Sequence, residues 1–303
     1  MSRNIKFFFV AFLISLPFWW GVNVFGKNLE DFLFFSFYYQ PPPPQVFLAQ
    51  VSQQFLQTPE KEVPEIEAKS AILVKINKNG SQEILFEKNS DQILPIASLT
   101  KLMTALVVTE NYNLSQQLEV TKEAVEQPEE FGNLKIGEYL SVENLLYLLL
   151  IESSNDSAFT LSELIGQDGF VGLMNLEAED LGLFGTYFVG PTGYSPENYS
   201  TAQDLVNLAK YLLKNKAIIW EISYRAEFGL YTPDGVFHHQ LSNTNQLLKK
   251  YPEIIGGKTG YTEEAGGCVI SILKNSKNEI FISIILGSEN RFEEMQKLSE
   301  YSI

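Results

Sequence analysis

Apolar and polar positions divide the chain into three stretches of different character. The first is continuous rather than periodic: after Arg3 and Lys6, no charged residue occurs from Phe7 to Phe25. About 20 such residues span a bilayer core, and basic residues ahead of a span keep the N-terminus cytoplasmic. Residues 1–26 are therefore expected to be an uncleaved, single-pass membrane anchor, with the rest of the chain outside the cytoplasm. Removal as a signal peptide, giving a secreted protein, is the alternative; the apolar run is long for that, and no small-residue cleavage site follows it. Pro17 and the lack of an amphipathic stripe argue against a globular helix. Residues 27–68 show no period. "FLFFSFYY" suits a membrane interface, "QPPPPQ" is stiff polyproline, and "QTPEKEVPEIEAK" is charged and proline-broken. They read as a stalk, with the globular domain at 69–303 and its first strand near Ser70.

Inside that domain the period changes with each segment. "AILVKI" and "EILFEK" flank "NKNG", whose Asn-Gly predicts a hairpin turn. A helix is expected from Ser98. "VENLLYLLLI" is apolar on nearly every side, so it predicts a buried helix, too short to cross a membrane. "SAFTLSELIG" and "FVGLMNLEAEDLGL" read as further helices. "STAQDLVNLAKYLLKN" offers Ser200 and Thr201 as caps and places Leu205, Leu208, Ala209 and Leu212 on one face. "EIIGGKTGY", "GGCVISILK" and "EIFISIILG" are three strands, and "RFEEMQKLSEY" is a closing helix. Strands at both ends with helices between predict an α+β fold, an antiparallel sheet flanked by helices.

Composition narrows the function. A length of 303 residues allows one large domain or two modest ones, and 45% hydrophobic residues supply a sizeable core. The net charge of -15 argues against nucleic acid as a partner, since phosphate binding needs a basic surface. Cys268 is the single cysteine, so no intramolecular disulfide forms, and its apolar strand context predicts a buried small side chain. His238 and His239 fall in a segment read as a loop. Without any Cys/His spacing, no metal site is expected, and without a G-x-S-x-G there is no support for a Ser-His-Asp hydrolase.

Three short elements carry candidate chemistry: Ser98-Leu99-Thr100-Lys101, Ser153-Ser154-Asn155 and Lys258-Thr259-Gly260. Each pattern is weak alone. Ser271 and Lys274 repeat the first, but in a strand, where residues three apart point to opposite faces. Ser276-Lys277-Asn278 and Ser288-Glu289-Asn290 repeat the second without partners in order. At Ser98 the helical context puts positions i and i+3 on one face, which brings the Lys101 amine over the Ser98 hydroxyl. Two readings follow. Ser98 is a helix cap beside a solvated lysine, or Lys101 is a buried base, its pKa lowered by burial and by Lys258, that removes the serine's proton.

The longer blocks "LPIASLTKLMTAL", "IGEYLSVENLLYLLLIESSNDSAF", "STAQDLVNLAKYLL", "NTNQLL" and "GGKTGYTEEAGGCV" resemble, in that order, the low-molecular-weight penicillin-binding proteins that are D-alanyl-D-alanine carboxypeptidases, peptidase family S11. The likeness runs from about residue 69 to 287. It implies an all-helical subdomain beside the sheet and an acyl-enzyme mechanism on peptidoglycan stem peptides ending in D-Ala-D-Ala, with β-lactam antibiotics as covalent inhibitors and no cofactor or metal. It also implies roles. Ser98 is the nucleophile and Lys101 its base; Ser153 passes a proton to the leaving amine; Asn155 holds a substrate amide. Lys258 and Thr259 bind the terminal carboxylate, and Gly260 leaves room for substrate along the strand. The backbone N–H groups of Ser98 and Tyr261 form the oxyanion hole. Ser154 and Gly190 stand where the family usually has glycine and asparagine. A DD-endopeptidase cutting cross-links is the nearest alternative. A class A β-lactamase is further off, because its E-x-x-L-N segment has no counterpart here.

Overall fold

The computed structural model describes residues 62–77, 79–128 and 132–302. The expected anchor and most of the expected stalk lie outside these residues. Among the described residues no helix is long and apolar enough to cross a membrane. The last residues assigned to the stalk belong with the domain: Ile66 and Ala68 are buried in a cluster with Met295 and Leu298, and Ala68 N–H donates to Glu294 Oε1 at 2.9 Å.

Strands β1 (Ser70–Ile76) and β2 (Gln82–Lys88) form the expected hairpin, with Gly80 at φ +82° in its turn. After β3 (Leu94–Pro95), a 3-10 turn (Ala97–Thr100) runs into α1 (Lys101–Asn111). Then β4 (Gln117–Glu119), α2 (Lys122–Val125) and β5 (Tyr139–Ser141) lead to α3 (Val142–Tyr147). The single buried helix expected over 142–151 is not uniform. It widens into a π turn over Leu148–Glu152 and stops at Ser153, which is left-handed at φ +66°. Helices α4 (Asn155–Glu163) and α5 (Gln167–Asp180) complete a helical subdomain.

The chain returns through β6 (Tyr199–Ser200), α6 (Ala202–Asn215), α7 (Ala217–Ser223) and a hairpin of β7 (Glu227–Tyr231) and β8 (Phe237–Ser242). Thr201, not Ser200, caps α6, accepting from Asp204 N–H. His238 and His239, expected in a loop, lie on β8, beside a register shift that disturbs the strict alternation of faces. The Asp234-Gly235 pair, with Gly235 at φ +83°, was the sequence signal for that turn. Finally come β9 (Ile254–Thr262), β10 (Gly266–Lys274), β11 (Ile280–Ser288) and α8 (Arg291–Ser302), all four as expected.

The main sheet is antiparallel with order β2-β1-β11-β10-β9, so the last of these is an edge strand. Alternation sends side chains to two cores. Ile72, Val74, Ile270, Ile272, Ile282 and Ile284 join the helical side, while Ala71, Leu73, Val269, Leu273 and Ile285 pack with Met295 and Leu298 of α8. Both faces are covered, which is why these strands read as continuous apolar runs. Helix α1 is the hub of the helical side, and every residue from Lys101 to Val108 is buried. A helix enclosed all round shows no amphipathic stripe. Its N-terminal turn is aimed at the edge strand.

Candidate active site

Ser98 sits in the 3-10 turn, one turn earlier than the α-helix proper. This alters the expected geometry in a favourable direction: with three residues per turn, positions i and i+3 eclipse. Lys101 Nζ lies 2.9 Å from Ser98 Oγ. Two further oxygens hold the amine, Asn155 Oδ1 at 2.6 Å and the Thr192 carbonyl at 2.7 Å. Lys101 is fully buried while Ser98 is half-buried, so the base is enclosed and the hydroxyl reaches the cleft. The solvated-lysine reading fails on this burial.

The turn is gripped from both sides. Ala97 is left-handed at φ +47°, a conformation a non-glycine residue holds only when its surroundings dictate it. A Cβ on Gly260 would meet Ser98 N at 2.7 Å, Ala97 Cβ at 3.0 Å and Ile96 O at 3.2 Å. Gly260 is therefore glycine because the nucleophile's own backbone lies against it, which corrects the expectation that the space is left for substrate. On the other side Gly193, at φ +82°, would place a Cβ 2.1 Å from the Ala97 carbonyl oxygen. Sequence reasoning missed Gly193 and the Thr192 carbonyl because neither belongs to a three-residue motif.

The second serine is paired too. Lys258 Nζ donates to Ser153 Oγ at 2.7 Å and to the Thr259 carbonyl at 2.9 Å. Lys258 is buried and Ser153 half-buried, repeating the arrangement at Ser98. Asn155 departs from its expected role. It is 2% exposed, its oxygen accepts from Lys101 and its Nδ2 donates to the Pro128 carbonyl at 2.6 Å, so it positions the lysine instead of presenting an amide to the cleft. Thr259 is buried with its hydroxyl 2.7 Å from that of Thr244, a partner whose "NTN" context carried no assignable chemistry. The Tyr261 ring is exposed at the cleft mouth.

Neither departure from the family pattern brings a clash. Ser154 points away from the cleft, fully buried, and accepts from Ser157 N–H as the N-cap of α4. A Cβ on Gly132 would meet its Oγ at 2.6 Å, so the small neighbour makes the room. Gly190 donates its N–H to Asn198 Oδ1 at 3.3 Å and has open space around it. The look-alike serine Ser271 lies on β10, buried, with Lys274 exposed at the strand's end. Cys268 is buried, and that burial pushes its thiol up to about 11, so it is inert packing. Among the described residues no group of three or more His, Cys, Asp or Glu could hold a metal ion.

Two buried lysines, each on a cleft-facing serine hydroxyl, set between an antiparallel sheet edge and a helical subdomain, define the class of serine enzymes that work through a Ser–Lys pair. Residues 57–290 match the profile of peptidase family S11, D-alanyl-D-alanine carboxypeptidase. The chain belongs to that family. It is 34% identical over 230 residues to the D-alanyl-D-alanine carboxypeptidase DacF of Bacillus subtilis, covering 73% of this chain and 58% of that one. With the D-alanyl-D-alanine endopeptidase of Escherichia coli it shares 30% identity over 242 residues, 78% of this chain and 77% of the relative. Among solved structures, the Streptomyces K15 DD-transpeptidase superposes with a TM-score of 0.71 at 29% identity, covering 78% of this chain and 97% of that one.

Proposed function

We propose that this chain is a serine-type D-Ala-D-Ala carboxypeptidase that trims the terminal D-alanine from peptidoglycan stem peptides. The observation that carries the reading is the enclosed Lys101 amine 2.9 Å from the half-buried Ser98 hydroxyl. Lys101 takes the hydroxyl proton as Ser98 Oγ bonds to the carbonyl carbon between the last two residues. Charge collects on the carbonyl oxygen, facing the N–H groups of Ser98 and Tyr261. The C–N bond then breaks, and Ser153, hydrogen-bonded to Lys258, delivers its proton to the leaving D-alanine and takes back the one held on Lys101. Water hydrolyses the ester on Ser98 and releases the shortened peptide. Lys258 supplies positive charge for the terminal carboxylate, with Thr259 at its side. A penicillin presents a strained amide to the same serine and leaves a slow-hydrolysing ester.

Trimming an end and cutting a cross-link use the same steps, and the Escherichia coli endopeptidase covers this chain as fully as the carboxypeptidase does. Endopeptidase action is therefore the second reading. Arg3, Lys6 and the uncharged run after them support a membrane anchor with the domain outside the cytoplasm.

The test uses the full chain with fluorescent penicillin and with a pentapeptide ending in D-Ala-D-Ala. Wild type is expected to form a long-lived adduct and release D-alanine. Ser98→Ala should do neither, and Lys101→Gln should slow acylation by about 10²- to 10⁴-fold. Labelling of Ser98→Ala at the wild-type level would sink the assignment. Activity confined to cross-linked dimers would select the endopeptidase.

A further inference from the structure

Arg291 belongs to none of the catalytic motifs, yet it reaches the edge strand. Its Nη1 donates to the Gly260 carbonyl at 3.0 Å. That carbonyl is half of the peptide group whose other half is the Tyr261 N–H. In a trans peptide the C=O and N–H point in opposite directions. A donor that holds the oxygen therefore helps to keep the N–H of Tyr261 turned the opposite way. Gly260 is also where β9 touches the nucleophile, since a Cβ there would meet Ser98 N at 2.7 Å. The peptide gripped by Arg291 is the one beside Ser98 N–H.

We propose that Arg291 is a positioning residue for the oxyanion hole, fixing and polarising the Gly260–Tyr261 peptide so that the Tyr261 N–H meets the charge that develops on the substrate carbonyl. This rests on the acyl-enzyme reading above.

Three features of the surroundings support it. Among the described residues β9 is an edge strand, with a neighbour on one side. The peptide lies two residues from the strand's end at Thr262. Pairing with β10, Gly260 opposite Cys268 and Tyr261 opposite Gly267, holds one side of the peptide, and Arg291 adds a charged donor to its carbonyl. The guanidinium is itself well fixed, 4.9 Å from the Phe292 ring centroid and 5.8 Å from that of Tyr261. Its stem runs over Gly267, where a Cβ would meet Arg291 Cβ at 3.1 Å and Cδ at 3.2 Å, so that glycine leaves the channel the stem occupies. Finally, no carboxylate among the described residues forms an ion pair with Arg291. Its charge acts on the carbonyl and the two rings. A charged donor on a carbonyl oxygen in a partly buried site makes a stronger bond than a neutral one and polarises the amide behind it.

The experiment compares Arg291→Gln, Arg291→Lys and Met295→Leu with wild type in the full chain. Four quantities are read: the acylation rate with fluorescent penicillin, kcat and KM on a D-Ala-D-Ala peptide, kcat/KM on an uncharged ester of the same acyl group, and the Ki of a peptide boronic acid. Complete loss of an oxyanion donor costs roughly 10²- to 10³-fold in rate, so a donor present but poorly aimed should cost about tenfold. Arg291→Gln is expected to lower kcat about that much on the peptide and the ester alike, with KM unchanged and the boronate Ki raised by a matching factor. Arg291→Lys should recover part of the loss, and Met295→Leu, a change in α8 packing away from the guanidinium, should behave as wild type. If Arg291→Gln does not fold, the Lys variant carries the test, with a smaller loss of the same pattern.

Unchanged acylation in both Arg291 variants would overturn the proposal. So would a loss restricted to the peptide bearing the terminal carboxylate, which would make Arg291 a carboxylate ligand. A loss reproduced by Met295→Leu would make it packing. Absence of acylation in wild type would instead overturn the proposed function.

Discussion

Gly260 illustrates how much of the site is decided at single residues. Its missing side chain lets the Ala97–Ser98 backbone lie against the edge strand, and in the proposed mechanism that approach sets the spacing of the Ser98 and Tyr261 N–H groups. The contacts a Cβ would make are to backbone as well as to the Ala97 side chain, so they cannot be relieved by a rotamer change. Gly260→Ala is expected to fold, with the turn displaced, and to lose on the order of a hundredfold in penicillin acylation, the penalty of misplacing reacting atoms by about an ångström. Acylation at the wild-type rate would show that the turn has slack. Lys101 and Lys258 are each legible as motif members, but their burial is not. Only the packing around α1 shows that the amine of Lys101 is closed off on all sides while the hydroxyl it serves remains open.

At the scale of elements, the junction between the π turn and β8 holds Ser153 in place. Glu152 precedes Ser153, and its carboxylate accepts from His239 Nε2 at 3.1 Å and from the Ser242 backbone at 3.3 Å. His239 Nδ1 in turn lies 2.5 Å from His238 Nδ1, and His238 Nε2 lies 3.1 Å from Glu138 Oε2. This chain ties the β7–β8 hairpin to the helical subdomain directly beside a serine in a left-handed conformation. His239→Ala removes the link to Glu152 and is expected to destabilise the domain by about 2 kcal/mol, the worth of a hydrogen bond to a charged group. The catalytic signature should be shared: in the proposed mechanism Ser153 protonates the nitrogen that departs as either acyl-enzyme forms, so release of D-alanine and penicillin labelling should fall together. Thermal unfolding together with the two assays checks this, and a loss of stability with both rates unchanged would refute the placement. Sequence reading put these histidines in a loop because "FHHQLS" lacks a clean two-residue alternation. The register shift beside His238 is the reason it does.

For the whole molecule, the closed core makes a pH prediction. Burial raises the Cys268 thiol from 9.0 to about 11. The folded chain thus holds the thiol proton more tightly than the unfolded chain does. Its contribution to stability is complete below pH 9 and is lost as pH rises towards 11, by about 3 kcal/mol for this group alone. Denaturant titrations between pH 8 and 11 should show that fall, and Cys268→Ser should flatten it; an unchanged slope in the variant would place the effect elsewhere. Alkylation of native protein at pH 8 should proceed only through unfolding. Seen at this scale, the sequence alone determined most of the plan. The β1–β2 hairpin, α6, the three C-terminal strands and α8 follow from period and turn residues, because those signals are local. The three motifs and their order marked the family for the same reason. What only tertiary structure decided is contact between distant segments: Thr192 and Asn155 on Lys101, Gly193 and Gly260 on the Ala97–Ser98 turn, Lys258 on Ser153, and Arg291 on the Gly260 carbonyl. Hydrophobic periodicity reports which face of an element is buried. It carries no information about which remote side chain or carbonyl that face will meet.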